Sequence, residues 1–218
     1  MKNFIVLQAN KLDIDKLMEL ERKSWIPELQ VSRKITLKRL EMGHIVLCVP
    51  DSNDDKFVGK ICFRHSNFSP DDFNSFPKTF DRFANQSHDL SHNANTAFIY
   101  DLDIDPGHRG GGKIASFLIK KSIERAKKDG CKYVVGDGRC PSYNGSKRER
   151  IKKSLGFKKI IDAYLKEGKF PKQKDFLLDP ILAFYYRIVH CKFLWVIPGF
   201  IPKDKPAGGI RVIAYKEI

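Results

Sequence analysis

Apolar and polar positions along the chain predict a series of elements before any chemistry is considered. Phe4–Gln8 predicts a first strand. Between Asp13 and Ser24, Ile14, Leu17 and Leu20 fall on one helical face, with Asp13 as the expected N-cap. His44–Val49 and Phe57–Phe63 are apolar runs joined by the polar stretch Asp51–Asp55, the pattern of a hairpin. Arg64–Thr96 has no clean period: Phe68, Phe73, Phe76, Phe80 and Phe83 are scattered among Ser, Asn, Asp and Pro. So long an irregular stretch predicts a functional lid, a binding-site wall or a satellite core. Ala97–Ile104 predicts a strand, Gly112–Lys128 a helix and Tyr133–Gly136 a short strand. In the helix, Ala115, Leu118, Ile119, Ser122, Ile123 and Ala126 form a stripe suited to packing on a sheet. Lys147–Gly168 and Asp179–Val189 predict two more helices, the second with Pro180 in its first turn. Phe193–Ile197 and Ile210–Lys216 close the chain as strands. Together these predict a single α/β domain over residues 1–218, one mixed sheet with helices on both faces. Residues 64–96 would be a lid or insertion in it, and 147–174 a variable helical segment.

Composition narrows the class. No run approaches the ~18 apolar residues that span a membrane. The N-terminus lacks the apolar length and the cleavage site of a signal peptide, so a cytoplasmic protein without membrane association is expected. Five cysteines, Cys48, Cys62, Cys131, Cys140 and Cys191, are odd in number and form no Cys-x-x-Cys pair; buried free thiols are expected. The formal net charge is +14, and residues 147–174 hold eleven Lys/Arg against three acids. Such a block attracts anions, whether the phosphates of a nucleotide-like cofactor or nucleic acid, unless it is only a solvated face. No nucleic-acid-binding motif accompanies it, so nucleic acid is the least favoured partner. His88 and His92 flank Asp89 at helical spacing, but the Asn/Ser-rich surroundings are poor helix and no third ligand is in view. No metal is expected.

Candidate chemistry concentrates where strand 97–104 meets helix 112–128. Gly110, Gly111 and Gly112 let a backbone approach a phosphate closely, since no Cβ intervenes and positive φ is free. The helix that follows directs its unpaired N–H groups and partial positive charge to the same spot, and Arg109 and Lys113 add full charges. Two anion-binding patterns compete. Gly107-x-x-x-x-Gly112–Lys113 satisfies a P-loop except at its last letter, where Ile114 replaces the Mg²⁺-binding Ser or Thr. The strand before it also carries Asp101, Asp103 and Asp105, which repel phosphates.

The second pattern resembles the GNAT acetyltransferase superfamily, whose CoA turn reads Arg/Gln-x-x-Gly-x-Gly/Ala after a strand ending in a proline turn. Leu102–Gly112 is similar to it, with Arg109-x-x-Gly112 matching and Ile114, followed by Ala115, departing at the final Gly/Ala. Four further strings, Gly138–Tyr143, Asp179–Phe184, Val196–Asp204 and Gly208–Ile213, resemble landmarks of the GNAT subgroup often fused to nitrilase-like amidohydrolases. The resemblance implies the GNAT fold, a mostly antiparallel sheet of about six or seven strands. It implies acetyl-CoA or another short acyl-CoA as co-substrate and an amine acceptor, small molecule or protein, attacking the thioester directly. A homodimer is implied as well. The CoA contacts would come from the main chain around Leu102, Asp103 and Ile104 and from Arg109, Gly110, Gly111, Gly112, Lys113 and Ile114.

Such a transfer needs a base for the ammonium and an acid for the leaving thiolate. Asp101 and Asp103 share one strand face and are the candidate bases, with hydrogen bonding to loop amides as the plain alternative. The family's Tyr-x-x-x-Gly-Phe helix end is found in part twice. Ser154–Phe157 keeps Gly-Phe but has Lys152 in the tyrosine's place, whereas Phe184–His190 keeps the tyrosine and loses Gly-Phe. Asp179–Phe184 anchors the second placement, which makes Tyr185 the candidate acid and Tyr186 its rival. A relative that binds CoA without catalysis is the alternative.

Overall fold

The computed structural model describes residues 4–89, 94–144 and 151–218, with backbone alone for 151–154. The chain divides into two compact units, Met1–Phe68 with Asp81–Val134 and Glu217–Ile218, and Ser69–Phe80 with Val135–Lys216.

The first unit opens with β1 (Leu7–Gln8), shorter than the predicted Phe4–Gln8 because only Leu7 and Gln8 find partners, opposite Cys48 and Leu47. Helix α1 (Ile14–Ser24) follows a single 3₁₀ turn. Asp13 stands at its N-cap position as expected but makes no side-chain cap bond there; the capping box is on the 3₁₀ turn before it. Asn10 is the capping side chain, accepting from Leu12 N–H at 2.8 Å, and Asp13 answers by accepting from Asn10 N–H at 2.9 Å. Asp13 is thus the far half of a capping box. Helix α2 (Arg33–Glu41) is invisible in the pattern because it buries only Arg39; Ser32 caps it. β2 (Ile45–Pro50) and β3 (Phe57–Ser66) form the predicted hairpin.

The described parts of the irregular stretch, 64–89 and 94–96, are more ordered than their sequence suggests. β3 runs on to Ser66, and α3 (Phe80–Ala84) lays the fully buried Phe83 on Phe98, ring centroids 4.9 Å apart. Arg64 organises this: buried, it donates to the Phe83 carbonyl at 2.8 Å and to Gln86 Oε1 at 2.9 Å. β4 (Thr96–Ile104) pairs antiparallel with β3, with a register shift between Cys62 and Phe63 that leaves Tyr100 as the extra residue. Helix α4 (Lys113–Lys128) buries Ile114, Leu118, Ile119, Ser122 and Ala126, close to the predicted stripe. Consecutive β3 residues face opposite ways. A Cβ on Gly59 would meet Ile114 and Leu118 of α4, whereas Lys60 bonds Glu21 of α1. Helices therefore cover both faces of this part of the sheet.

β5 (Tyr133–Arg139) is longer than the predicted Tyr133–Gly136. In the second unit, α5 (Ile151–Glu167) occupies most of predicted 147–168, and residues 147–150 lie outside the described residues. After α6 (Gln173–Phe176), helix α7 (Pro180–Val189) starts where Asp179 and Pro180 predict. β6 (Lys192–Ile197) and β7 (Arg211–Glu217) pair antiparallel. Phe157, Ile161, Phe176, Leu182, Phe193, Val196 and Val212 form the core of this unit. Phe73 and Phe76 of the irregular stretch belong here too, each about 5 Å from the Trp195 ring. The sheet is seven-stranded, in the order β1-β2-β3-β4-β5-β7-β6.

Candidate functional site

The glycine turn is built by short-range rules. Asp105 Oδ1 accepts from Gly107 N–H at 2.8 Å, starting a 3₁₀ turn at Pro106. Gly111 (φ 68°) and Gly112 (φ 66°) then take the left-handed conformation that glycine adopts at no steric cost, and α4 begins at Lys113 with no side-chain cap. A Cβ on Gly110 or Gly111 would touch nothing within 4 Å. The outer face of the turn is therefore open, and the first amides of a sixteen-residue helix point to it. Lys113 is exposed beside it. Arg109, although exposed, turns inward: Nε donates to the Ile104 carbonyl at 3.0 Å and Nη2 to the Ser24 carbonyl at 2.8 Å.

Ile114, the departure from the GNAT pattern, is buried. Its room comes from β3: an added Cβ on Gly59 would lie 2.7 Å from Ile114 Cγ2 and 3.1 Å from Leu118 Cδ1. The bulk that the turn pattern excludes is taken up across the sheet by a missing side chain. Leu102 and Ile104 stand on β4 opposite Ile61 and Gly59.

Asp101 and Asp103 share a face as predicted, but that face is closed. Lys60 Nζ sits 2.6 Å from Glu21 Oε2 and 3.0 Å from both Asp101 Oδ2 and Asp103 Oδ2, and no side chain of the four exceeds 8% exposure. The Trp25 indole N–H donates to Asp103 Oδ1, and Glu21 Oε1 accepts from Val31 N–H at 2.8 Å. Burial and the neighbouring Asp101 charge push the Asp103 carboxyl well above the usual carboxylate range. Burial raises Asp101 too, but the Lys60 charge and the hydrogen bond with Asp103 outweigh it and hold Asp101 low. Burial works against the Lys60 ammonium, and the two aspartates more than compensate. The carboxylate oxygens of Glu21, Asp101 and Asp103 lie within 4.8 Å of one another, a spacing suited to a cation, and the ammonium of Lys60 is that cation. Neither aspartate is free to meet a substrate ammonium. The sequence signal was there in principle, a lysine in the apolar run Phe57–Phe63, whereas its pairing with three acids required the register.

His88 accepts from His65 N–H at 3.2 Å through Nδ1 and lies tilted beside that ring, centroids 4.3 Å apart. His92 lies outside the described residues.

In the second unit, Asp179 caps α7, accepting from Ile181 N–H at 2.9 Å and Leu182 N–H at 3.2 Å, while its other oxygen accepts from Ser142 N–H. Tyr185 packs against the core of the unit, whereas Tyr186 is exposed. Burial pushes the Tyr185 hydroxyl up, and the Asp137 charge adds to this while Arg211 opposes it. The four landmark strings meet here. Arg139 grips Asp204 with two bonds of 2.7 and 2.8 Å, and Arg211 adds 2.9 Å to Asp204 and 3.4 Å to Asp137. Gly208 lies against Tyr143, where an added Cβ would come within 2.6 Å of the ring. Sequence reading passed over this ion network, although Arg and Asp inside otherwise apolar strings were its signal.

Residues 14–157 match the acetyltransferase (GNAT) family. The chain belongs to that family. No curated protein matches it in sequence. Among solved structures, the GphF GNAT-like decarboxylase in complex with isobutyryl-CoA is similar at 22% identity and a TM-score of 0.72, over 98% of each chain. The loading GNATL domain of CurA from Lyngbya majuscula is similar at 20% identity and a TM-score of 0.66, covering 99% of this chain and 98% of that one. An aminoglycoside 6′-N-acetyltransferase from Enterococcus faecium gives 13% identity and a TM-score of 0.56, over 98% and 96%. These likenesses establish the GNAT fold, an open α/β sheet. The family match ends on Phe157, the close of Ser154–Leu155–Gly156–Phe157, so Tyr185 lies beyond the matched stretch. Among the described residues no helix is long and apolar enough to cross a membrane.

Proposed function

We propose that this GNAT protein is an acyl-CoA-dependent N-acetyltransferase that passes an acetyl group, or another short acyl group, to a primary amine by direct attack on the thioester. The observation that carries the reading is the start of α4: an uncapped helix N-terminus faced by open glycines and flanked by Lys113. Such a surface suits the pyrophosphate of a CoA thioester, held by amides of Gly110–Ile114. Tyr185, kept protonated by burial, is the proton donor for the departing thiolate. The net charge of +14 favours an acidic acceptor, small molecule or protein.

One observation favours a second reading. With Asp101 and Asp103 closed over Lys60, no aspartate of β4 is available to deprotonate an ammonium. Decarboxylation of a malonyl-type acyl-CoA requires no such base. There the C–CO2 bond breaks, its electron pair passes into the thioester enolate, and a donor returns one proton to carbon. The GphF protein is described as a decarboxylase.

Calorimetry with acetyl-CoA, then two product assays, tests both. N-Acetyl transfer releases free thiol in proportion to acylated amine; decarboxylation releases CO2 from malonyl-CoA with no free thiol. Failure to bind acetyl-CoA would sink both readings. Tyr185→Phe is expected to lower turnover at least about tenfold with acetyl-CoA affinity unchanged. Unchanged turnover would remove Tyr185 from the chemistry.

A further inference from the structure

Arg109 stands beside an anion-shaped turn with a full charge, yet its guanidinium is spent on two backbone carbonyls. Nε donates to Ile104 O at 3.0 Å and Nη2 to Ser24 O at 2.8 Å. These carbonyls end β4 and α1, elements separated by some eighty residues of sequence. The same junction is stitched three more times. Ser24 Oγ donates to Ile104 O at 3.3 Å, Trp25 donates to Asp103, and Lys23 Nζ lies 3.5 Å from Asp105 Oδ2. Lys23, Ser24 and Trp25, at and just past the end of α1, are thus tied to Asp105, Ile104 and Asp103, at and just past the end of β4. Arg109 is the member of this set that belongs to the turn.

We infer that Arg109 is a positioning residue: it locks the glycine turn onto the ends of α1 and β4 by donating to carbonyls, and the anion is held by turn amides rather than by its charge. The inference rests on reading the turn as the seat of CoA. What the lock requires is a planar donor that reaches carbonyls, not a cation. Glutamine supplies amide donors without charge, whereas lysine keeps the charge but lacks the planar fork that serves two carbonyls at once.

Full-length Arg109→Gln, Arg109→Lys and Arg109→Ala proteins separate these possibilities. In calorimetry with acetyl-CoA, R109Q is expected to stay within about threefold of the parent affinity, while R109K and R109A weaken by about tenfold or more. Hydrogen exchange on the ligand-free proteins reads the lock directly. Protection over 24–30 and over 107–114 should fall together in R109A and R109K and persist in R109Q. The inference is overturned if R109K binds like the parent while R109Q loses tenfold, the pattern of a phosphate ion pair. It is equally overturned if exchange rises in the turn while 24–30 stays protected. Should the parent protein bind no acetyl-CoA, the proposed function falls, and the ligand-free exchange pattern still decides the lock.

Discussion

Lys60 shows how a single position reassigns its neighbours. As letters, Asp101 and Asp103 are two carboxylates on one strand face, the arrangement a general base would use. Opposite Asp103 in the register, and within 3.0 Å of Asp101 as well, stands a lysine that is almost wholly buried, and Glu21 closes the cluster from α1. Lys60→Met would leave three acids enclosed without a cation. Removing one partner of a buried ion cluster strands the rest, so a loss of about 3–5 kcal/mol is expected in urea unfolding. Adding Asp101→Asn to that variant should recover part of the loss, because one stranded charge goes with it. If K60M unfolds at the parent midpoint, the cluster is not a stabilising one. The pairing of both aspartates with Lys60 was not legible from sequence, because spacing along β4 reports which face a residue takes and nothing about what covers that face.

At the scale of elements, β3 and α4 are matched through an absent side chain. Ile114 breaks the family's small-residue rule at the turn, and Gly59 makes the break tolerable by leaving 2.7 Å between its missing Cβ and the Ile114 methyl. Gly59→Ala should therefore cost about 1–3 kcal/mol by overpacking. Ile114→Ala alone should cost about 2–4 kcal/mol through the cavity it leaves. Combined, the two changes should cost less than their sum by at least about 1 kcal/mol, since the added methyl enters the vacated space. Additive values in a double-mutant cycle would show that the two residues do not share that space. Here the sequence was readable only in hindsight: a glycine in an apolar run and an isoleucine in a glycine turn are each ordinary, and their pairing depends on α4 crossing β3 at this point. α7, by contrast, was readable in advance, because Asp179 and Pro180 act within one turn of the chain.

For the whole molecule, two desolvated histidines weaken the fold toward acid pH. His44 uses both ring nitrogens, Nδ1 with the Tyr100 hydroxyl at 2.8 Å and Nε2 with the Gln86 carbonyl at 2.7 Å. Burial holds it down to about 4, and burial together with His65 does the same to His88. An unfolded histidine titrates near ~6.5. Between these values the unfolded chain binds the extra protons, so stability is complete above about pH 7 and falls as the pH drops toward about 4. The urea midpoint should be lower at pH 5 than at pH 7.5, and His44→Gln should flatten that difference. A midpoint equal at both pH values would contradict the burial of these rings. The five cysteines, all buried and free, agree with the expectation drawn from their odd number.

The sequence by itself determined the family, the order of most elements, the hairpin, the glycine turn and the start of α7. These follow from periodicity and local backbone chemistry, which operate over one or two turns of chain. Only the tertiary structure decided that Arg109 faces inward, that Asp101 and Asp103 serve Lys60, that Tyr185 rather than Tyr186 is turned to the core, and that Arg139, Asp204 and Arg211 join. Each of those outcomes depends on which side chain arrives from a distant segment. In a close-packed interior the charge and volume of the arriving group settle what a residue can do.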